Sequence, residues 1–172
     1  MLEEEIKENI RSIPNYPRKG VLFRDITPLL GDGELFKKCI ESIALHFEGR
    51  VDKVAGIEAR GFIIGSAVAY RLGKGFIPIR KEGRLPFDKI KKAYSLEYGN
   101  EAIEIHKDAL KKGERVLIVD DLLATGGTSS AACDLVESLG GVVEGLAFLI
   151  ELKDLKGREK LKGREVFALA SY

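Results

Sequence analysis

Residues 116–141 read VLIVDDLLATGGTSSAACDLVESLGG. Four apolar residues, Val116 to Val119, run directly into two adjacent carboxylates, Asp120 and Asp121. Leu122 and Leu123 follow, then the loop Ala124-Thr125-Gly126-Gly127-Thr128. A short continuous apolar run is the pattern of a strand buried on both faces, and such strands belong to parallel sheets covered by helices. In open α/β sheets, ligands sit beyond the carboxyl ends of the strands. The paired acids and the loop therefore stand where a site belongs. The glycines allow successive N–H groups to converge on an anion, and Thr125, Thr128 and Ser129 add hydroxyls. The next segment has Ala131, Leu135 and Leu139 at a spacing of four. It predicts a helix whose positive end points at the same place.

The stretch thus reads as a phosphate cradle. It is not a Walker loop, because no Gly-Lys-[Ser/Thr] follows, and the dinucleotide pattern Gly-x-Gly-x-x-Gly is absent. Two acids beside a phosphate would repel it. They make sense on sugar hydroxyls, directly or through a divalent cation, with the phosphate held farther along the same ligand. A phosphorylated ribose has that layout.

Outward from this stretch, strands and helices alternate. Residues 2–12 predict a short helix, and Asp32 predicts the N-cap of a helix carrying Phe36, Ile40, Ile43 and Phe47. VDKVAGIEA (51–59) predicts a strand, GFIIGSAVAYRLG (61–73) a small-residue helix able to pack tightly on a sheet, and GFIPIR (75–80) a further strand. Residues 81–100 are charged and broken by Gly83, Pro86 and Gly99. They predict an exposed arm that continues into a strand near AIEIH (102–106). VVEGLAFLIEL (142–152) and EVFALAS (165–171) predict the last strands. The expected fold is α/β, a Rossmann-like parallel sheet flanked by helices, in one domain over residues 1–172.

Composition narrows the function. With 28 Lys+Arg against 27 Asp+Glu the net charge is +1, without the basic excess of a general nucleic-acid binder. No apolar run reaches membrane-span length, and the start, MLEEEIKENI, is acidic and unlike a signal peptide. Cys39 and Cys133 are far apart and predict buried thiols in a reducing cytoplasm. There is no Cys/His metal-ligand cluster, and His46 and His106 read as structural or exposed. The chain has no Gln, three Asn and one Met, a bias seen in heat-adapted proteins.

VLIVDDLLATGGT resembles the phosphoribosyl-diphosphate motif of the type I phosphoribosyltransferases, and their adenine-specific branch in particular. YPRKGVLFRDITPLL (16–30), GIEARGFIIG (56–65), IPIRKEGRLP (77–86) and YSLEYG (94–99) agree in the family's order and cover most of the chain. The resemblance implies an N-terminal base-binding hood over residues 1–33 and a mobile arm over 81–100. It implies that adenine and phosphoribosyl diphosphate are converted to AMP and pyrophosphate with Mg²⁺, bound mainly through substrate. It further implies a homodimer, with Arg80 reaching the neighbouring subunit's site.

The residue roles it implies are specific. Glu58, Ala59 and Arg60 form the pyrophosphate loop, with a cis peptide at Glu58–Ala59. Family members often carry Asp-Ser there, so a hydroxyl donor is missing from this chain. Arg80, Lys81 and Arg84 neutralise the leaving group. Asp120 and Asp121 hold the ribose, and Ala124, Thr125, Gly126, Gly127 and Thr128 the 5-phosphate. Leu22, Phe23, Arg24 and Leu122 enclose adenine, with backbone groups near Leu22 and Arg24 reading its edge. Glu97, arriving with the arm, is the general acid/base. Two other readings share the cradle: transfer to another purine base, and a non-catalytic sensor of phosphoribosyl diphosphate.

Overall fold

The computed structural model describes residues 1–96 and 99–172. The chain opens with α1 (Leu2–Glu8), β1 (Arg11–Pro14), β2 (Leu22–Asp25), α2 (Thr27–Gly31) and α3 (Gly33–Phe47). The alternation then sets in with β3 (Lys53–Ile57), α4 (Arg60–Leu72) and β4 (Gly75–Lys81). After β5 (Lys89–Leu96) and β6 (Gly99–His106) come β7 (Arg115–Leu123), α5 (Gly127–Ser138), β8 (Val142–Glu151) and β9 (Val166–Ser171). Two short 3-10 turns, Lys153–Leu155 and Gly157–Leu161, link β8 to β9.

The main sheet has the order β5-β6-β4-β3-β7-β8-β9. Strands β4, β3, β7, β8 and β9 run parallel, as the apolar runs predict. The edge departs from that expectation: β6 lies antiparallel to β4, and β5 antiparallel to β6. The segment expected to be an exposed arm is thus half of a hairpin. Its charged, glycine-broken sequence hid a strand because one face of β5 stays in water, so no continuous apolar run marks it.

The helix expected over residues 2–12 stops at Glu8, and residues 11–14 pair with β2 instead. Asn9 ends the helix by donating from its side-chain amide to the Glu5 carbonyl at 3.0 Å. Across the hairpin, Arg11 meets Asp25 at 3.2 Å. These partners lie fourteen residues apart, beyond the reach of a local pattern. Asp32 does cap α3, accepting from the Glu34 and Leu35 N–H groups at 3.1 and 3.0 Å, which satisfies two otherwise orphaned donors.

Both faces of the sheet are buried because side chains alternate across each strand. Leu117 and Val119 of β7 pack with α3 and α4, around Ile43, Phe47 and Ile64. Val116 and Ile118 face the other way, toward α5, with Ile79, Cys133 and Phe148. Both cysteines are free and buried, and burial pushes each thiol up to about 12. The two packed layers hold the carboxyl ends of β3 and β7 side by side, with Gly56 opposite Val119.

Candidate active site

The two acids close β7. Asp121 is nearly buried, its side chain 6% exposed, and its Oδ2 lies 3.0 Å from the Arg60 Nε. That oxygen faces the guanidinium without hydrogen-bond geometry and has no hydrogen-bond partner among the described residues. Asp120 accepts the Asp121 N–H at 2.8 Å. Burial, and then the neighbouring Asp121 charge, push the Asp120 carboxyl well above its ordinary range. One carboxylate of the pair is therefore costly to ionise until a cation or hydroxyl donors arrive.

Arg60 opens α4, directly after the loop from β3. The helix head can lie against the end of β7 because residue 61 is glycine: a Cβ there would stand 2.8 Å from Asp120 Oδ1 and 3.0 Å from the Val119 carbonyl. The small residue thus sets the Arg60–Asp121 contact. The Glu58–Ala59 peptide is cis, as expected. The Glu58 carboxylate accepts from the Lys81 N–H at 2.8 Å and from Arg80 Nη2 at 2.6 Å. Burial opposes its charge, but these donors outweigh burial and hold the carboxyl below its ordinary value.

Arg80 is thereby committed within its own chain, to Glu58 and the Arg84 carbonyl, and it does not line the cavity. Its proposed reach into a neighbouring subunit's site concerns a second copy of the chain. Lys81 and Arg84 do face the cavity. Neither makes an ion pair among the described residues, which leaves two cations available for an anion.

The cavity, of about 510 Å³, is lined by Glu58, Ala59, Arg60, Lys81 and Arg84 on one side and by Asp120, Asp121, Leu122 and Thr128 on the other. Tyr94 and Glu101 complete it. Neither was expected from the sequence. The Tyr94 hydroxyl donates to Glu101 at 3.0 Å and reaches Thr128, so the β5–β6 hairpin touches the cradle. The YSLEYG stretch marked this segment; no local signal marked Glu101, which enters through hairpin register opposite Tyr94. Glu97 lies outside the described residues.

A smaller adjoining hollow, of about 150 Å³, is formed by Leu96, Asp120, Leu122 and residues 124–129. Gly126 sits at the N-cap of α5 with φ +82°, and no side chain caps the helix. The first-turn N–H groups therefore remain available to an anion. Asp120, Leu122 and Thr128 border both spaces, so one elongated ligand can span them.

The hood residues divide. Phe23 and Arg24 point to opposite faces of β2. The Arg60 guanidinium lies over the Phe23 ring at 5.2 Å, joining the hood to the site. Leu22 and Arg24 instead line a separate cavity of about 770 Å³ with Leu152 and Tyr172, where Arg24 stacks on Tyr172 at 3.9 Å. Neither residue lines the cavity of about 510 Å³. His46 is stacked on Phe167 and held by Glu165, and neither histidine lines the cavity.

The described residues contain no group of three or more His, Cys, Asp or Glu side chains able to hold a metal. Asp120 and Asp121, one with an unsatisfied buried oxygen, suit a divalent cation that takes its other ligands from substrate and water.

A sheet of this order, with acids and a glycine cradle after one central strand and an arginine loop after its neighbour, is the architecture of a phosphoribosyl-transferring protein. The chain belongs to the phosphoribosyltransferase family: the phosphoribosyl transferase domain model matches residues 31–167. Within that family its relatives are adenine phosphoribosyltransferases. It is 55% identical to the one from Halothermothrix orenii, over 96% of this chain and 98% of that protein. The crystal structure of the Thermoanaerobacter pseudethanolicus enzyme superposes with a TM-score of 0.96 at 53% identity, covering 100% of both chains. The Saccharomyces cerevisiae enzyme, complexed with an imino-altritol bisphosphate and adenine, gives 0.93 at 42% identity over 98% of each.

Proposed function

We infer that the protein transfers the phosphoribosyl group of phosphoribosyl diphosphate to adenine, giving AMP and pyrophosphate, a step of purine salvage. The observation that carries this reading is a pair of adjoining cavities, sharing Asp120, Leu122 and Thr128, that offer three chemistries: Arg60, Lys81 and Arg84, then Asp120–Asp121, then the capless head of α5. A pyrophosphate, a ribose and a 5-phosphate need those groups in that order.

In this account the purine N9 forms a bond to ribose C1 as the C1–oxygen bond to pyrophosphate breaks. The bonding electrons leave with the pyrophosphate, and the purine proton passes to Glu97. Arg60, Lys81 and Arg84 stabilise the charge that grows on the leaving group. Asp120 and Asp121 hold the ribose hydroxyls and favour the positive charge that develops on the ring. Residues 124–128 hold the 5-phosphate and supply binding energy remote from the reacting carbon. Phe23 and Leu122 flank the base, and the backbone at Leu22 and Arg24 reads its edge. Mg²⁺, bound mainly through substrate oxygens with Asp120 and Asp121 beside it, would supply charge neutralisation for the leaving group. The hairpin bearing Tyr94 excludes water from the ring carbon.

The protein acts as a cytoplasmic homodimer in this reading, without nucleic acid or membrane. No helix among the described residues is long and apolar enough to cross a membrane. Ile63 and Tyr70 are 45% and 90% exposed on one side of α4, an apolar face that a second copy would cover. Sedimentation of wild type and Tyr70→Glu tests this: a dimer that the variant weakens agrees, and a monomeric wild type refutes it.

A product assay tests the activity. Purified protein with Mg²⁺ and phosphoribosyl diphosphate is given adenine, hypoxanthine, guanine, xanthine or orotate separately. AMP and pyrophosphate from adenine alone is the expected result. Turnover of an oxopurine instead would overturn the base assignment, and binding without turnover would favour the sensor.

A further inference from the structure

The phosphate loop rests on a residue more than thirty positions downstream that belongs to none of the recognised motifs. Gly157 opens the second 3-10 turn, Gly157–Leu161. A Cβ on Gly157 would stand 2.4 Å from the Ala124 carbonyl and 2.8 Å from Leu123 Cδ1. The reciprocal contact is as close: a Cβ on Gly126 would stand 2.4 Å from the Gly157 carbonyl. Two backbones therefore cross with no side chain between them, and the nearest contacted atoms, the carbonyl oxygens of Ala124 and Gly157, are main-chain atoms that cannot swing aside.

The two glycines differ in what they need. Gly126 requires glycine twice over, for its φ of +82° and for the crossing. Gly157 has no left-handed φ, so any residue could adopt its backbone. Only proximity to the loop demands glycine there.

The turn that presents Gly157 is anchored on three sides. Arg158 forks onto Glu151 at 2.7 and 2.8 Å, and Glu151 is itself buried at the end of β8. Arg158 also donates to the Val166 carbonyl at 3.0 Å. Leu161 is 1% exposed in the core beneath α5. A bidentate arginine pair on a buried carboxylate fixes orientation as well as distance. The turn is thus a rigid floor against which residues 124–126 are pressed.

We propose that Gly157 is a positioning residue for phosphoribosyl 5-phosphate binding: its bare backbone, held by Arg158 and Leu161, sets where the loop 124–126 lies and hence where the N–H groups of the α5 head converge. The proposal rests on residues 124–128 being the phosphate cradle. Adding one methyl group at position 157 must push the loop outward, because the turn cannot retreat into its own anchor. Ligands carrying a 5-phosphate then lose donors, while pyrophosphate, bound at the β3 loop, loses nothing.

The test is equilibrium titration of AMP, and separately of pyrophosphate with Mg²⁺, into wild type, Gly157→Ala, Arg158→Ala and Thr128→Ala. In Gly157→Ala the dissociation constant for AMP should rise about ten- to hundredfold, the scale on which a misplacement of an ångström acts, with that for pyrophosphate unchanged. In turnover, KM for phosphoribosyl diphosphate should rise while KM for adenine holds. A general loosening of the fold would move every constant together. Should Gly157→Ala fail to fold, Arg158→Ala, which frees the turn without adding bulk to the crossing, should show the same selective loss to a smaller extent. Loss of AMP affinity in Thr128→Ala but in neither turn variant would overturn the proposal and leave the cradle standing. No loss in any of the three would overturn the cradle assignment and the proposal with it.

Discussion

Two loops leave adjacent parallel strands and each feeds a helix, yet they are built in opposite ways. Glu58–Ala59 leaves β3 and enters α4 at Arg60; Ala124–Gly126 leaves β7 and enters α5 at Gly127. The first presents charged side chains, with Glu58 fastened by Arg80 and Lys81 and Arg60 set against Asp121. The second presents main chain, with glycine at the cap and another backbone pressed beneath it. The difference teaches how each half of the site should fail. The β3 loop should be sensitive to what is removed, and the β7 loop to what is added.

The largest expected effect is at Arg60. Arg60→Ala removes the guanidinium that faces Asp121 and is proposed to stabilise the leaving group, and kcat/KM for phosphoribosyl diphosphate should fall about 10²–10³-fold. Steady-state kinetics measures it, and an effect below tenfold would remove side-chain charge as the working principle of that loop. Next is Gly126→Ala, which adds a methyl group at φ +82° and 2.4 Å from the Gly157 carbonyl. KM for phosphoribosyl diphosphate should rise about a hundredfold, with a loss of about 1–3 kcal/mol in stability measured by urea denaturation. Thr125→Ala, in the same loop, subtracts one exposed hydroxyl and should raise that KM only about fivefold, the worth of a single hydrogen bond. A Thr125→Ala loss equal to that of Gly126→Ala would erase the distinction between the loops.

How far each loop was legible in the sequence follows from the same difference. The β7 loop spells itself out: apolar run, two acids and Gly-Gly within one stretch, because every part is a local neighbour. The β3 loop was placed through its resemblance, and its fastening was not visible, since Glu58 is held by Lys81 and Arg80, over twenty residues away. Gly157 was missed for the same reason, and Glu101 because it enters only through hairpin register opposite Tyr94. A glycine whose φ is ordinary and whose contact is more than thirty residues distant leaves no local trace. The N-terminal misreading was of another kind: residues 11–14 carry no helix breaker before Pro14, and only pairing with β2 makes them a strand.

The acids of the two loops should also respond to pH with opposite signs. The Glu58 carboxyl is held below its ordinary value, so its contribution to stability is present above the unfolded pKa of about 4.3 and is lost as pH falls. Asp120 is raised, so the folded state binds its proton more tightly, and stability is lost as pH rises through the interval above the unfolded value of about 3.9. Melting curves from about pH 3 to about pH 8 should show Glu58→Gln with a lower melting temperature at neutral pH and a shallower acid decline. Asp120→Asn should melt higher than wild type at neutral pH while its kcat/KM falls about tenfold or more, a trade of activity for stability. Destabilisation by Asp120→Asn would contradict the crowded-acid reading.

A crystal structure of the protein with phosphoribosyl diphosphate and Mg²⁺ tests the division of labour most directly. The account predicts the pyrophosphate against Arg60 and Lys81, the ribose hydroxyls on Asp120 and Asp121, and the 5-phosphate on the main-chain N–H groups of residues 125–128. A ligand lying the other way round, with pyrophosphate at the head of α5, or a 5-phosphate held by side chains alone, would contradict it.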